Sequence, residues 1–169
     1  KALKEKNKPY TGFLYVGLMI KDNDPYLIEY NVRMGDPECQ TILPKLKTDL
    51  ALILESCVNN NLKNIDIEWH NDKSVCVVLC SKGYPDKYTN NVEIKKLNDI
   101  NLEDNQFLFH AGTKNIDDKI FSNGGRVLNF VIKSKNFKKS RSQALKLIKE
   151  VNWGNGYFRK DIAYKVIDE

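Results

Sequence analysis

Acidic, amide and guanidinium side chains alternate along one short stretch of the sequence, Ile28–Glu38. Glu29, Asn31 and Arg33 stand at every second position, so in a β-strand they share one face. Carboxylate and amide oxygens are ligands that Mg²⁺ accepts together with phosphate oxygens and water. A guanidinium two residues further on could hold a carboxylate, an acyl phosphate or a phosphate by two parallel hydrogen bonds. The spacing is typical of such chemistry, and it also occurs by chance in exposed strands with ordinary charges.

The loop that follows this strand adds small and acidic residues. Gly35 allows close approach of the backbone, and Asp36 and Glu38 are acids that could bind an amine. The order Asp36, Pro37, Glu38 predicts the start of a short helix, with Asp36 as its cap and Pro37 at its first position. The proline at position 44 is expected to interrupt this helix.

The elements that must position these residues come from the apolar patterning. Residues 12–20 and 26–32 are rich in β formers and flank the turn signal Asp22–Pro25, which predicts a hairpin with a loop of about four or five residues. A helix follows, with Thr48 as its cap and Asp49 in its first turn, and it ends at Asn59–Asn61.

The second half of the chain has mixed character beyond a boundary near residues 61–68. A helix opened by Ser140 or Ser142 is predicted from its apolar stripe. The apolar runs predict a buried strand and three further β segments, at Ser74–Cys80, Glu93–Leu97, Phe107–Ala111 and Val127–Lys133.

Composition excludes some classes of protein. The formal net charge is +5, but it comes from 23 Lys spread along the chain and only 4 Arg, which does not favour a nucleic-acid-binding protein. No run of 18 apolar residues predicts a membrane span, and the first residues contain no apolar segment typical of a signal peptide. The four cysteines have no zinc-ligand spacing, which favours a reduced, cytoplasmic protein without zinc.

A specific resemblance is carried by YLIEYNVRMGDPECQTILPKLKTDL. This stretch resembles the "EFNxRFGDPExQ" run, followed by "P-L-(K/L)-(S/T)-DL", of the glycinamide ribonucleotide synthetases (phosphoribosylamine–glycine ligases) of the ATP-grasp superfamily. Tyr30 and Met34 replace the usual Phe residues. Further landmarks follow in the family's order, resembling its "GYP", "FHAGT", "TNGGRVL" and "W…FRxDI" runs: Ser81–Pro85, Phe109–Thr113, Ser122–Leu128 and Trp153–Ile162.

The resemblance implies an α+β fold in two parts. Residues 1–64 would be the C-terminal portion of an ATP-grasp domain, and residues 65–169 a small mixed α/β C-terminal domain with an antiparallel sheet. The chain has no initiator Met and no Gly-rich phosphate loop, so the ATP lid and adenine pocket are expected in an N-terminal part of a longer enzyme. The 169 residues alone are then expected to be inactive. Because eukaryotic members are often fused to later purine-pathway enzymes, a multifunctional parent is also compatible with the resemblance.

The implied activity is ligation of glycine to 5-phosphoribosylamine with ATP, through a glycyl phosphate, in purine (IMP) biosynthesis. The family's motif makes Glu29 and Asn31 the Mg²⁺ or Mn²⁺ ligands and Arg33 the catalytic residue that orients the glycine carboxylate and the acyl phosphate. Gly35, Asp36 and Glu38 would shape the substrate pocket. The expected partners are these small molecules and ATP, with no nucleic acid and no membrane.

The downstream motifs leave two interpretations open. Asn123, Gly124, Gly125 and Arg126 could cradle the ribose phosphate of the substrate, or they could form a hairpin turn with Arg126 in a structural ion pair. His110 is predicted to be a hydrogen-bonded structural residue. Arg159 and Asp161 are predicted to be a surface ion pair.

Two alternative functions remain at this point. Another ATP-grasp carboxylate–amine ligase, or a biotin-carboxylase-like enzyme, would share the Glu-x-Asn-x-Arg pattern. A non-catalytic interaction or nucleic-acid-binding module would instead use the positive charge, and removal of Glu29 would then leave polyanion binding unchanged or improved.

Overall fold

The computed structural model describes residues 2–167 of the chain. Its backbone contacts divide into two compact units. The first contains the residues up to Cys39 together with Leu46–His70, and the second contains Gln40–Lys45 together with the residues from Asn71 onward.

The first unit is built on the predicted hairpin. Strands β1 (Tyr15–Lys21) and β2 (Asp24–Asn31) are antiparallel, with Tyr15 opposite Asn31. Their connection is shorter than expected, because Asp22 and Asn23 both adopt positive φ, the conformation of a two-residue hairpin turn. An exposed apolar surface of this extent is typical of a face that another part of a protein covers. The large apolar side chains along the hairpin that are at least 42% exposed are Val16, Leu18, Met19, Ile20, Tyr26, Leu27, Ile28, Tyr30 and Val32.

The helices of this part of the chain are short. Helix α1 covers Ala2–Glu5, α2 covers Glu38–Ile42, and α3 covers Leu50–Val58. The cap of α3 is Asp49, not the expected Thr48, because the Asp49 carboxylate accepts hydrogen bonds from the backbone N–H groups of Ala51 and Leu52. Helix α2 ends at Ile42, before Pro44 as expected, and a 3₁₀ turn follows over Leu43–Lys45.

The second unit is a four-stranded antiparallel sheet with one long helix. The sheet order is β4 (Gln106–His110), β7 (Arg126–Ser134), β3 (Lys73–Ser81) and β8 (Gly156–Tyr157), and a separate hairpin joins β5 (Thr113–Ile116) to β6 (Lys119–Ser122). The predicted strand at Glu93–Leu97 is wrong, because Glu93 and Lys95 form only isolated bridges. The small sheets and their antiparallel pairing agree with the predicted mixed α/β architecture.

The core lies between this sheet and α4 (Phe137–Glu150). The side chain of Asn136 caps α4 by accepting from the backbone N–H of Lys139, so the helix begins before the expected Ser140. Ser140 instead lies buried inside the helix, where its hydroxyl donates to the Lys73 carbonyl. The helix and the two central strands contribute the largest part of the buried apolar cluster: Val75, Val77, Leu79, Leu128, Phe130, Ile132, Ala144, Leu147 and Ile148.

None of the helices in the span 2–167 is long and apolar enough to cross a membrane.

Candidate functional site

A β-bulge in β2 sets the direction of the candidate metal ligands. Gly17 pairs with Glu29, but its neighbour Leu18 pairs with Leu27, so Ile28 is an extra residue in the strand. Bulges bend a strand and re-aim the side chains beside them, and they are frequent next to functional sites. The alternation of polar and apolar residues in the sequence did not reveal this bulge. It lies between Glu29 and the first half of the strand, Asp24–Leu27, whose pairing with β1 is regular.

The structure brings Glu29 and Asn31 into contact. The amide nitrogen of Asn31 lies 2.9 Å from Oε1 of Glu29. The Glu29 side chain crosses over Gly17, where an added Cβ would lie 3.0 Å from Glu29 Cγ. Glycine at position 17 therefore leaves room for the aliphatic part of the Glu29 side chain.

The contact between Glu29 and Asn31 fits a divalent cation. Adjacent oxygens around an octahedral Mg²⁺ are separated by roughly 2.9 Å, as follows from ligand distances of about 2.0–2.1 Å. The observed separation of 2.9 Å between the two side chains is similar. Rotation of the amide about its last side-chain bond would put the Asn31 oxygen where the nitrogen now lies, so that both side chains could present an oxygen to a cation. Among the described residues, no group of three or more His, Cys, Asp or Glu residues is arranged to hold a metal.

The residues that follow β2 form a tight acidic loop. Nη1 of Arg33 donates to the carbonyl of Met34 at 3.0 Å, and the arginine side chain is exposed. Gly35 is buried under Glu38, since an added Cβ would lie 2.1 Å from Glu38 Oε2. Asp36 is exposed and precedes a cis bond to Pro37. The loop thus presents Arg33 and Asp36 at the surface and holds Glu38 against the backbone.

A second candidate group lies in the second unit, where three loops meet. The hydroxyl of Ser81 donates to the carbonyl of Gly124 at 2.8 Å, and the backbone N–H of Ser81 donates to the carbonyl of Gly125 at 2.7 Å. The N–H of Asn123 donates to the carbonyl of Gly112 at 2.7 Å. Three motifs that are distant in sequence therefore form one cluster.

The loop Asn123–Gly125 is not a hairpin turn. It connects β6, which pairs with β5, to β7, which pairs with β3 and β4. The alternative of a simple hairpin is therefore wrong, and the loop links two different sheets.

A second bulge, at Val127, directs Arg126. Leu79 pairs with Leu128, but Cys80 pairs with Arg126, so Val127 is the extra residue. Without the bulge Arg126 would pair with Ser81. The bulge instead places Arg126 beside Cys80, one residue along β3 from the core residue Leu79.

Arg126 is anchored by a tyrosine. Its Nε donates to the hydroxyl of Tyr84 at 3.2 Å, and its guanidinium carbon lies 6.0 Å from the centre of the Tyr84 ring. The sequence indicated the motif around Tyr84 but not this contact, nor those of Ser81 and Gly112, because all of them depend on how distant loops come together.

The remaining downstream predictions concern two surface contacts. His110 is exposed, and its Nδ1 lies 2.9 Å from the hydroxyl of Thr113, as expected for a hydrogen-bonded residue. Arg159 and Asp161 form the predicted surface pair, with nitrogen–oxygen distances of 3.1 and 2.5 Å. The hydrogen bond from Arg159 lowers the pKa of the Asp161 carboxyl, and the same contact raises the pKa of the Arg159 guanidinium.

The tight packing of the three loops leads to a stability prediction. An added Cβ at Gly112 would lie 2.7 Å from the Arg126 carbonyl oxygen and 2.9 Å from the Cα of Gly124, both of them backbone atoms. We expect Gly112→Ala to lower the free energy of unfolding by about 1–3 kcal/mol, as in other overpacked sites. Gly154 is a matched control, since an added Cβ there meets nothing within 4 Å.

Urea denaturation of the 169-residue chain measures both variants. Gly154→Ala should stay within about 0.5 kcal/mol of the parent, as at ordinary surface sites. Equal stability of the two variants would contradict the packing described for Gly112.

Comparison with known proteins agrees with this arrangement of motifs. Residues 74–165 match the family described as "Phosphoribosylglycinamide synthetase, C domain", and residues 1–39 match "Phosphoribosylglycinamide synthetase, ATP-grasp (A) domain". The first match alone covers more than half of the chain, so the chain belongs to the phosphoribosylglycinamide synthetase family.

Individual relatives carry a more particular name. The chain is 43% identical over 162 residues to a phosphoribosylamine–glycine ligase of Caldanaerobacter subterraneus subsp. tengcongensis, and 42% identical over 164 residues to that of Fusobacterium nucleatum. Each alignment covers 96% of this chain and 38% of the relative. The chain thus spans well under half the length of these curated relatives.

A solved structure shows the same fold. The phosphoribosylamine–glycine ligase of Thermotoga maritima superposes with a TM-score of 0.80 at 34% identity, over 95% of this chain and 39% of that one. The observed α/β architecture with antiparallel sheets is therefore the one that this region has in a solved ligase.

Proposed function

We propose that the polypeptide carrying this chain joins glycine to 5-phosphoribosylamine with ATP, giving glycinamide ribonucleotide, ADP and phosphate in purine biosynthesis. The observation that carries the proposal is the contact between Glu29 and Asn31 at the bulge of β2, with Arg33 two residues further on, in a chain of the synthetase family. The named relatives are ligases of this substrate pair.

The proposed reaction has two steps. The glycine carboxylate attacks the γ-phosphorus of ATP, the bond to the β–γ bridging oxygen breaks, and ADP leaves with glycyl phosphate formed. The amine of phosphoribosylamine then attacks the acyl carbon, phosphate leaves and the amine loses one proton. Both steps bring anions together, so fixed positive charge lowers the barrier.

Arg33 supplies such charge in the proposal. Its planar fork can hold a carboxylate or an acyl phosphate by two parallel hydrogen bonds. The bond from Nη1 to the Met34 carbonyl fixes one end of the guanidinium beside the loop. Asp36 and Glu38 would then orient the amine of a substrate, with Gly35 keeping the backbone close.

Glu29 and Asn31 would hold Mg²⁺ or Mn²⁺. A bound divalent cation neutralises phosphate charge and orients the ATP phosphates for in-line transfer. The 2.9 Å contact holds the two side chains next to each other, which supports their assignment to one metal site.

The loop Asn123–Arg126 is the proposed phosphate subsite for phosphoribosylamine. Gly124 and Gly125 allow the backbone to approach an anion, and Arg126 brings a guanidinium. Ser81 and Gly112 fix the loop through the hydrogen bonds given above. These contacts support a preformed site.

The remaining features of the proposal follow the family. Residues 1–64 would complete the ATP-grasp domain, and residues 65–169 would form the C-terminal domain. The ATP lid would lie in a region that the longer relatives have and this chain does not match. The enzyme would act in the cytoplasm on small molecules, and fusion to other purine-pathway enzymes is compatible with this.

The test is an ADP-release assay on the full-length gene product. We expect ADP formation that depends on both glycine and 5-phosphoribosylamine, with Mg²⁺ or Mn²⁺ required. Other carboxylic acids in place of glycine should give little release. Because relatives are more than twice as long, the isolated 169 residues should release no ADP with glycine.

Other outcomes distinguish the alternatives. Strong ADP release with another acid or with bicarbonate would indicate a different ATP-grasp ligase. Absence of ADP release with all acids, together with tight polyanion binding that survives loss of Glu29, would indicate a binding module.

A further inference from the structure

We propose that Lys133 is a positioning residue that holds helix α2 in place, and with it the acidic loop Asp36–Glu38 that would orient the substrate amine. This inference deepens the proposed function and rests on it. Lys133 lies near the end of β7, where no sequence motif marks it.

The side chain of Lys133 binds the end of the helical segment that follows the acidic loop. Its Nζ donates to the carbonyl of Pro44 at 2.7 Å, and both residues belong to the second compact unit. Pro44 lies in the 3₁₀ turn Leu43–Lys45, which directly continues α2. The last carbonyls of a helical segment have no partner within it and carry partial negative charge, so an ammonium group is a favourable partner for them.

Lys133 is itself held at its backbone and at its charged end. Its N–H donates to the carbonyl of Asn105 at 2.9 Å, and its carbonyl accepts from Nδ2 of Asn105 at 2.7 Å. Its Nζ lies 5.3 Å from the centre of the Phe107 ring, a distance at which an aromatic face attracts a cation. That ring is stacked with the ring of Phe109, with centres 6.1 Å apart.

Helix α2 depends on contacts at its ends because it is short. It has five residues, none of them fully buried, and a helix of this length is not stable by itself in water. At its start, the N–H of Cys39 donates to the carbonyl of Gly35 at 2.9 Å, which closes the acidic loop onto the helix. At its end, Lys133 holds the 3₁₀ turn. Because Glu38 is the first residue of α2, the place of its carboxylate follows from the place of the helix.

The variant Lys133→Met removes the charge and the hydrogen bond but keeps an unbranched side chain over Phe107. In the full-length gene product we expect KM for phosphoribosylamine to rise about 3- to 10-fold, the range for losing one hydrogen bond. KM for glycine and kcat should stay close to the parent values. Lys133→Arg keeps a positive charge and N–H donors, so it should restore most of the parent KM for phosphoribosylamine.

Lys73 at the start of β3 provides a matched control. Its Nζ lies 5.8 Å from the centre of the Phe137 ring, so it is also a lysine of this sheet placed over an aromatic ring. Within residues 2–167, the structure records no hydrogen bond from that Nζ. Lys73→Met should therefore leave KM for phosphoribosylamine unchanged.

Hydrogen exchange of the full-length gene product, followed by mass spectrometry, gives a readout independent of turnover. Peptides that cover residues 35–45 should exchange faster in Lys133→Met, because the end of the helical segment has lost its anchor and opens more often. Peptides from β3 and α4 should exchange as in the parent. Lys133→Arg and Lys73→Met should match the parent over residues 35–45.

The outcomes distinguish failure of this inference from failure of the proposed function. A parent with normal ligase activity and an unchanged KM for phosphoribosylamine in Lys133→Met overturns the role of Lys133 alone, whatever the exchange rates are. A parent that releases no ADP with glycine and phosphoribosylamine overturns both. Faster exchange throughout the second unit together with a fall in kcat, without a selective KM effect or rescue by Lys133→Arg, shows a structural residue and also overturns the inference.

Discussion

Replacement of Glu29 by glutamine is expected to lower kcat of the full-length gene product by about 10²–10³-fold, as for other lost charge-stabilising groups in enzymes. Glutamine keeps the length and one oxygen of the side chain but removes its negative charge, which a divalent cation requires. The contact with Asn31 at 2.9 Å leaves the geometry largely preserved, so the loss should come from charge. Steady-state ADP release measured over a range of Mg²⁺ concentrations checks this.

The dependence on Mg²⁺ distinguishes a ligand from a structural residue. In the Glu29→Gln variant, the Mg²⁺ concentration at half-maximal rate should rise, and part of the rate should return at high Mg²⁺. Glu55 is a suitable control because it is an exposed glutamate on α3. If Glu29→Gln and Glu55→Gln have the same activity and the same Mg²⁺ dependence, Glu29 does not hold the metal.

Replacement of Arg33 by lysine is expected to lower kcat/KM for glycine by about 10- to 150-fold, which corresponds to a charged hydrogen bond of 1.5–3 kcal/mol. Lysine keeps the positive charge but has no planar fork, so it cannot grip a carboxylate with two parallel bonds. Because the Arg33 side chain is exposed, the substitution is expected to leave the fold intact. Kinetics with glycine as the varied substrate measure the effect.

The surface pair provides the control for this variant. Arg159 is also exposed and also binds a carboxylate through two nitrogens, but it does so within its own ion pair with Asp161. Arg159→Lys should therefore leave kcat/KM for glycine unchanged. An Arg33→Lys variant as active as the Arg159→Lys variant would show that charge alone suffices at position 33.

Much of the secondary structure could be predicted from local patterns of apolar and polar residues in the sequence. The β1–β2 hairpin, the strand Lys73–Ser81 and the helix Phe137–Glu150 lie where periodicity predicted them. Their ends were less predictable, since Asp49 and Asn136 rather than Thr48 and Ser140 provide the caps. Several polar residues near a helix start can cap it, and the backbone geometry decides among them.

The candidate site likewise has features that the sequence predicts and features that depend on the tertiary structure. The order of Glu29, Asn31 and Arg33 is local, and the sequence predicted that all three share one face of a strand. In the structure β2 ends at Asn31, so this prediction is wrong for Arg33, which lies in the bend after the strand. The bulges at Ile28 and Val127 are not local properties, because a bulge exists only relative to the partner strand.

By itself, the sequence determined the types and spacing of the groups that could bind metal, carboxylate and phosphate, because these depend on neighbouring positions along one strand or loop. Only the tertiary structure decided that Ser81, Tyr84, Gly112 and Arg126 form one cluster. These residues are up to 45 positions apart, and their contacts arise from the pairing of β3 with β7 and from hydrogen bonds between the loops. The physical reason is that hydrogen bonds between distant loops depend on packing, which local preferences do not specify.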